Sequence, residues 1–160
     1  MKNDISAIGN ALVDTTFKVE HSLISELGLE IDQMTLSSAE EHAPIIDRLI
    51  ASGADTVSDC GGSATNSLVA AASFGAKCFH TCKVSDDQDG VRYLESLKEA
   101  GVGHKGNMAS ANKIPTGKCL ILVTPDAKRT MTTALNVSSL MDEHDLDLDQ
   151  IANSKIFYIE

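Results

Sequence analysis

Between Ala54 and Val84 the chain alternates in a way that leaves few folds open. Ala54 to Cys60 is a short β-prone run and Gly61-Gly62 a turn. Ser63 to Phe74 is a helical stretch of small and apolar residues closed by Gly75, and Lys77 to Val84 is β-prone again. A strand, a helix and a strand in close succession predict an α/β sandwich with parallel strands.

The flanking segments extend this pattern. Asp4 to Ile8 reads as an apolar strand reaching a Gly9-Asn10 turn, which places Asp14 just beyond a strand end. Thr15 to Glu20 is β-prone, and Ser22 to Leu27, stopped by Gly28, predicts a short helix. Ser38-Ala39-Glu40-Glu41 is a capping box, a serine oxygen meeting a free amide and a glutamate reaching back. It predicts a helix to about Ser52, with Ile45, Ile46, Leu49 and Ile50 inward and Pro44 as a point of kinking. The turn 85–90 leads to a helix over 91–100 with a stripe of Val91, Leu94 and Leu97, stopped by Gly101.

The third quarter changes character. Lys118 to Thr124 and Arg129 to Thr133 flank Pro125-Asp126-Ala127-Lys128, a hairpin signal that predicts a small antiparallel flap. A polar helix is expected from about Ser138 to Asn153, then a strand over 155–160. An apolar strand normally has something packed on both faces, so the chain is expected to stop mid-domain.

At 160 residues, 42% hydrophobic and 22% charged, the chain fits one folded domain. Its 23 acidic and 13 basic residues leave a formal charge of −10, which argues against nucleic acid and anionic membrane as partners. Asp4 stands where a signal peptide needs its apolar stretch, and no run approaches a membrane span, so a soluble cytoplasmic protein is expected. In that compartment Cys60, Cys78, Cys82 and Cys119 read as reduced thiols. Cys78, His80 and Cys82 would share one face of a strand, but without a fourth ligand in paired spacing they read as buried side chains, not a metal site.

Gly61-Gly62-Ser63-Ala64-Thr65-Asn66 carries the most chemistry. Two glycines after a strand admit close backbone approach, the following helix offers free amides, and Asn66 one turn in can donate to and accept from hydroxyls. A plain glycine turn capped by Ser63 is the competing reading. Other matches fail on context. Gly101-Val102-Gly103-His104-Lys105-Gly106 follows a helix, so it reads as a helix stop and loop, not a dinucleotide site. Asp145, Asp147 and Asp149 lack the glycine and glutamate of a calcium loop, the 85–90 segment has Ser85 at position one and Ser96 at position twelve, and both acidic groups read as solvated turns. No P-loop occurs.

Taken in order, residues 9–14 (Gly-Asn-Ala-Leu-Val-Asp), 61–66 with the alanine-rich helix and Gly75, 84–90 (Val-Ser-Asp-Asp-Gln-Asp-Gly), Pro115-Thr116-Gly117 and Arg129-Thr130-Met131 resemble the N-terminal half of a ribokinase/PfkB-type carbohydrate kinase, adenosine-kinase-like branch. The fold implied is part of a ribokinase-like three-layer α/β sandwich with a small antiparallel β lid, its strands near 15–36 and 118–133. Residues 1–160 would be the substrate-binding portion, with the C-terminal ATP and catalytic portion absent.

The resemblance implies ATP- and Mg2+-dependent phosphoryl transfer to a primary hydroxyl of a sugar or nucleoside, with the ATP and Mg2+ sites outside this chain. Asp14, Gly61, Gly62, Ser63 and Asn66 would bind the acceptor, and Glu160 matches a sugar-contacting acid of some members. Ser63, where ribokinases proper tend to have lysine, points to the adenosine-kinase branch and a nucleoside-like ligand. Arg129 matches an arginine near the transferred phosphate. On sequence alone, a turn role for Asp14 and an exposed hairpin charge for Arg129 stay open. The Gly-Ala-Gly-Asp segment that carries the catalytic base in the family does not occur in these residues, nor does its Asn-x-x-Glu segment. The chain alone is therefore expected not to turn over. A non-catalytic ligand-binding module, or one that forms a homodimer through the lid strands, is the alternative.

Overall fold

The computed structural model describes residues 2–109 and 114–160; Met1, part of the N-terminal segment read above, lies outside them. In chain order the elements are β1 (Asn3–Ile8), β2 (Leu12–Lys18), α1 (His21–Glu26), β3 (Met34–Leu36), α2 (Ala39–Ala51), β4 (Thr56–Gly61), α3 (Ser63–Ser73) and β5 (Cys78–Ser85). There follow α4 (Gln88–Glu99), β6 (Gly103–Ala109), β7 (Gly117–Val123), β8 (Arg129–Ala134), two 3-10 turns (Asn136–Leu140 and Glu143–Asp145), α5 (Leu148–Ala152) and β9 (Ser154–Ile159).

Four strands form an all-parallel sheet in the order β6-β5-β1-β9. β5 is covered on both faces. Cys78, Cys82 and Val84 join Ala7, Leu68, Tyr93 and Leu97 under α3 and α4, in the same row as the fully buried His80. Thr81 and Ser85 are buried on the opposite side, where Lys83 ties the 3-10 turns to the strand through Asp145 (2.7 Å) and the Leu140 carbonyl (3.0 Å). Burial pushes the Cys82 thiol up to about 12, so it packs as a small apolar side chain.

The second sheet runs β3-β8-β7-β2-β4. The expected hairpin is present as antiparallel β7 and β8, widened by β3 parallel to β8, by β2 parallel to β7 and by β4 antiparallel to β2. One face is sealed by α1 and α2 through Phe17, Leu23, Ile24, Leu49, Leu120 and Leu122. The register places Asp14, Asp59, Cys119, Met131 and Arg129 on the other face. That face is partly open, with Met34, Leu36 and Val57 exposed.

Several sequence expectations are corrected. α2 runs through Pro44 and closes its capping box at Ser38 and Glu41, but Ile50 is 66% exposed. The inward arc is His42, Ile45, Ile46 and Leu49, and Ile50 lies a further 100° round the helix. α4 begins at Gln88, so Gly90, Tyr93 and Leu97 face inward and Val91 is exposed. Residues 103–109 are a strand and not a loop, because the free edge of β5 supplies a pairing partner that no local propensity signals. The helix expected over 138–153 is broken into three short turns, since Asp142 and Asp147 each cap a new start, on the amides of His144 (2.8 Å) and Gln150 (3.1 Å).

Nor are Asp87 and Asp145 solvated turn residues. Asp145 is 8% exposed and pairs with Lys83. Asp87 caps α4 through Gly90 (2.7 Å) and also accepts from the Thr116 amide (2.8 Å) and hydroxyl (2.6 Å). Among the described residues no helix is long and apolar enough to cross a membrane.

Candidate functional site

The chain reverses at Gly9 to Ala11 to leave the parallel sheet and enter β2, and at Gly61 to Ser63 to leave β4 and enter α3. These two reversals meet. Asp14, expected beyond a strand end, is in fact the third residue of β2, paired with Asp59 on β4 and Cys119 on β7. Its carboxylate lies over the backbone of Gly61, where a Cβ would stand 2.2 Å from its carbon and oxygen atoms. At Gly62, φ is +98° and a Cβ would fall 2.2 Å from the Asn10 carbonyl oxygen. A side chain at Gly62 would push the two reversals apart, and one at Gly61 would displace the Asp14 carboxylate.

Asp14 is half-buried, and its carboxylate accepts no hydrogen bond among the described residues. Burial raises its pKa above the ordinary carboxylate value, the Arg129 guanidinium lowers it, and the Asp59 charge raises it further; the net shift is upward. Arg129 is therefore within electrostatic reach of Asp14 from the first residue of β8, on the same face of the sheet. Its side chain is exposed and forms no ion pair among the described residues.

Gly62 has no side chain to cap α3, yet the helix start is capped. The Glu160 carboxylate, arriving from the end of β9, accepts from the Ser63 hydroxyl (2.8 Å), the Ser63 amide (3.4 Å) and the Ala64 amide (2.5 Å). The Glu160 amide donates to the Ile8 carbonyl (3.1 Å), which fixes the strand end beside the Gly9 reversal. Asn66 stands one turn into α3, its amide donating to Gly62 (2.9 Å) and its exposed side chain without a partner among the described residues.

Beneath this turn lies a buried polar cluster that the sequence reading missed. Thr65 bonds both the Tyr93 hydroxyl and His80 Nε2 (3.3 Å), and His80 Nδ1 lies 3.4 Å from the Ala7 carbonyl. Burial lowers the His80 pKa to about 4, so the ring is neutral and links α3, α4 and β1 by hydrogen bonds alone. Asp59 was also missed, although it sits two residues before Gly61, the spacing that puts two residues on one face of a strand.

Asp14, Gly61, Gly62, Ser63 and Glu160 thus converge on one turn, with Asn66 beside it and Arg129 linked to it by charge. A cavity of about 560 Å3 lined by Lys18, Leu23, Arg48 and Pro125 lies beyond the C-terminal end of β2 and contains none of these residues. The candidate site is an open surface where β2 and β4 meet the start of α3, rich in hydrogen-bond acceptors.

The pfkB family carbohydrate kinase profile matches residues 31–160. Comparison with curated proteins gives no match. Among solved structures, a probable sugar kinase from Rhizobium etli CFN 42 superposes with a TM-score of 0.90 at 26% identity. An adenosine kinase from Sinorhizobium meliloti gives 0.84 at 31% identity. An Anopheles gambiae adenosine kinase solved with P1,P4-di(adenosine-5) tetraphosphate gives 0.85 at 23% identity, a likeness of fold. Each covers 99% of this chain, which in turn spans about half of theirs, 47%, 47% and 48%. With the profile matched over most of its length, the chain belongs to the pfkB family of carbohydrate kinases.

Proposed function

We propose that these residues form the acceptor half-site of an enzyme that transfers a phosphoryl group from ATP to a primary hydroxyl of a sugar or nucleoside. The observation that carries this reading is the Asp14 carboxylate, half-buried against Gly61, raised in pKa and accepting no hydrogen bond. A carboxylate in that state gains from any donor that arrives, and two vicinal hydroxyls match its two oxygens. Asn66 would donate to and accept from a further hydroxyl, and the Gly61-Gly62 backbone leaves room for close approach. Arg129, fixed within electrostatic reach of Asp14, would stabilise charge on the transferred group. ATP and Mg2+ would supply the phosphoryl group and its charge neutralisation from residues outside 1–160.

On this reading Asp14, Asn66 and the glycine turn orient the acceptor, and removal of the hydroxyl proton falls to a residue beyond this chain. The sheet carrying Asp14 and Arg129 would act as the lid, and the 160-residue chain would bind without turning over. Calorimetric titration with adenosine, ribose and fructose tests it. Measurable binding of at least one, weakened about tenfold or more in Asp14→Ala, is the expected result. No binding of any of them, or binding indifferent to Asp14, contradicts it, as does ATP consumption by the chain alone.

A second reading is favoured by one feature, the exposed Met34, Leu36 and Val57 on the same face as Asp14. Those side chains would support a homodimer through the lid strands. Sedimentation equilibrium on the chain and on a Leu36→Lys variant distinguishes a dimer held by this face from a monomer.

A further inference from the structure

Resting on the half-site reading above, we infer that the acceptor is an uncharged polyhydroxyl compound, and that Glu160 excludes phosphorylated ones. An anion entering between β4 and α3 would seek the free amides at the start of α3, since that helix has no local cap and its dipole favours negative charge there. That seat is taken. The two oxygens of Glu160 hold the Ser63 hydroxyl and the Ser63 and Ala64 amides, the donors a phosphate would use. Glu160 is itself held, by its backbone bond to Ile8 and by the pairing of β9 with β1.

The charge around the turn points the same way. Asp14 lies against Gly61, Asp59 pairs with Asp14 across the strands, and Glu160 closes the far side at Ser63. Arg129 is the cation whose charge reaches Asp14, where it opposes the Asp59 charge. A phosphate monoester carries close to two negative charges at neutral pH and would meet this field with the amides at the start of α3 already engaged. Hydroxyls meet no such penalty, because Asp14 and Asn66 take them as neutral donors and acceptors.

Amide NMR on the chain, with its terminal carboxylate amidated so that only side chains carry charge, tests this in two arms. In the first, inorganic phosphate is added to the wild type and to Glu160→Gln. The Ser63 and Ala64 amides are expected to stay put in the wild type and to respond in Glu160→Gln at a concentration lower by roughly tenfold or more. Equal responses in the two proteins, nil included, overturn the assignment to Glu160. The second arm compares fructose with fructose 6-phosphate at Gly61, Gly62 and the Asn66 side-chain amide. Fructose is expected to act at a concentration at least about tenfold lower. A phosphate ester that matches or beats its parent sugar overturns the inference. If fructose moves none of these signals while Glu160→Gln gains its phosphate response, the half-site reading and the acceptor class fall together, and only the occupied anion seat survives.

Discussion

Two strand-to-helix turns in this molecule are built from the same parts and use them in opposite ways. At the start of α4, Asp87 accepts from Gly90, from the Thr116 amide and from the Thr116 hydroxyl. Burial alone would raise its pKa, but those bonds and the Lys118 charge outweigh burial and hold it below the ordinary value. At the start of α3, the aspartate over the glycine accepts nothing, its pKa is raised, and the helix is capped by a glutamate 97 residues further on. The first turn uses its carboxylate to hold the fold. The second keeps one half-buried and unsatisfied at a cost in stability, the usual mark of a group reserved for a ligand.

The sharpest way to break this contrast is Gly62→Ala. A φ of +98° belongs to glycine, and the new Cβ would collide with the Asn10 carbonyl, so the strain and the overpacking add to about 4 kcal/mol of destabilisation. Urea unfolding measures it, and a loss under about 1 kcal/mol would show that the two chain reversals do not depend on each other. Next comes Asp87→Ala, which removes a cap and leaves the Thr116 amide and the buried Thr116 O–H without an acceptor, for about 3 kcal/mol. Its pH dependence has a definite sign. Because the folded pKa lies below the ordinary 3.8, the Asp87 contribution is complete above that value and is lost as pH falls through the folded pKa, so wild type and variant converge in acid. Ser38→Ala serves as the ruler for a local cap on an exposed helix start, at about 1 kcal/mol by the same measurement.

How much of this could be read in the sequence follows from which contacts are local. The Ser38 capping box and the glycine stops at 28 and 75 act over a few residues, and the structure has them where the sequence put them. The succession of strand and helix was also visible, as was the hairpin at 124–128, because period and turn chemistry are local properties. β6 was not visible, since Gly103 to Ala109 becomes a strand only by pairing with β5. The same holds for the site. Asp14, Gly61, Gly62 and Asn66 stood out as residue types in an order, but the overlap of the Asp14 carboxylate with Gly61 exists only once β2 pairs with β4. Glu160 was singled out for sugar contact, and its capping of α3 could not be inferred, because a cap is normally sought within a turn of the helix it serves.

The smallest expected effect is the most telling for the contrast, because its sign is reversed. Asp14 has its pKa raised in the folded state, chiefly by burial, so its ionised form is disfavoured by folding. That penalty is present above the folded pKa and disappears as pH falls through it toward the ordinary value of 3.8. Asp14→Asn, nearly equal in size and never charged, should therefore be more stable than wild type at pH 7. Solvent screening of a group only half-buried keeps the gain below about 1 kcal/mol. The advantage should vanish by about pH 4, near the intrinsic carboxylate range, while Asp87→Asn shows the opposite pattern, a deficit at pH 7 that closes in acid. Urea midpoints for both variants from pH 7 down to about pH 2 check the pair. If Asp14→Asn lowers stability at pH 7, the carboxylate is held by structure after all, and the two turns are alike.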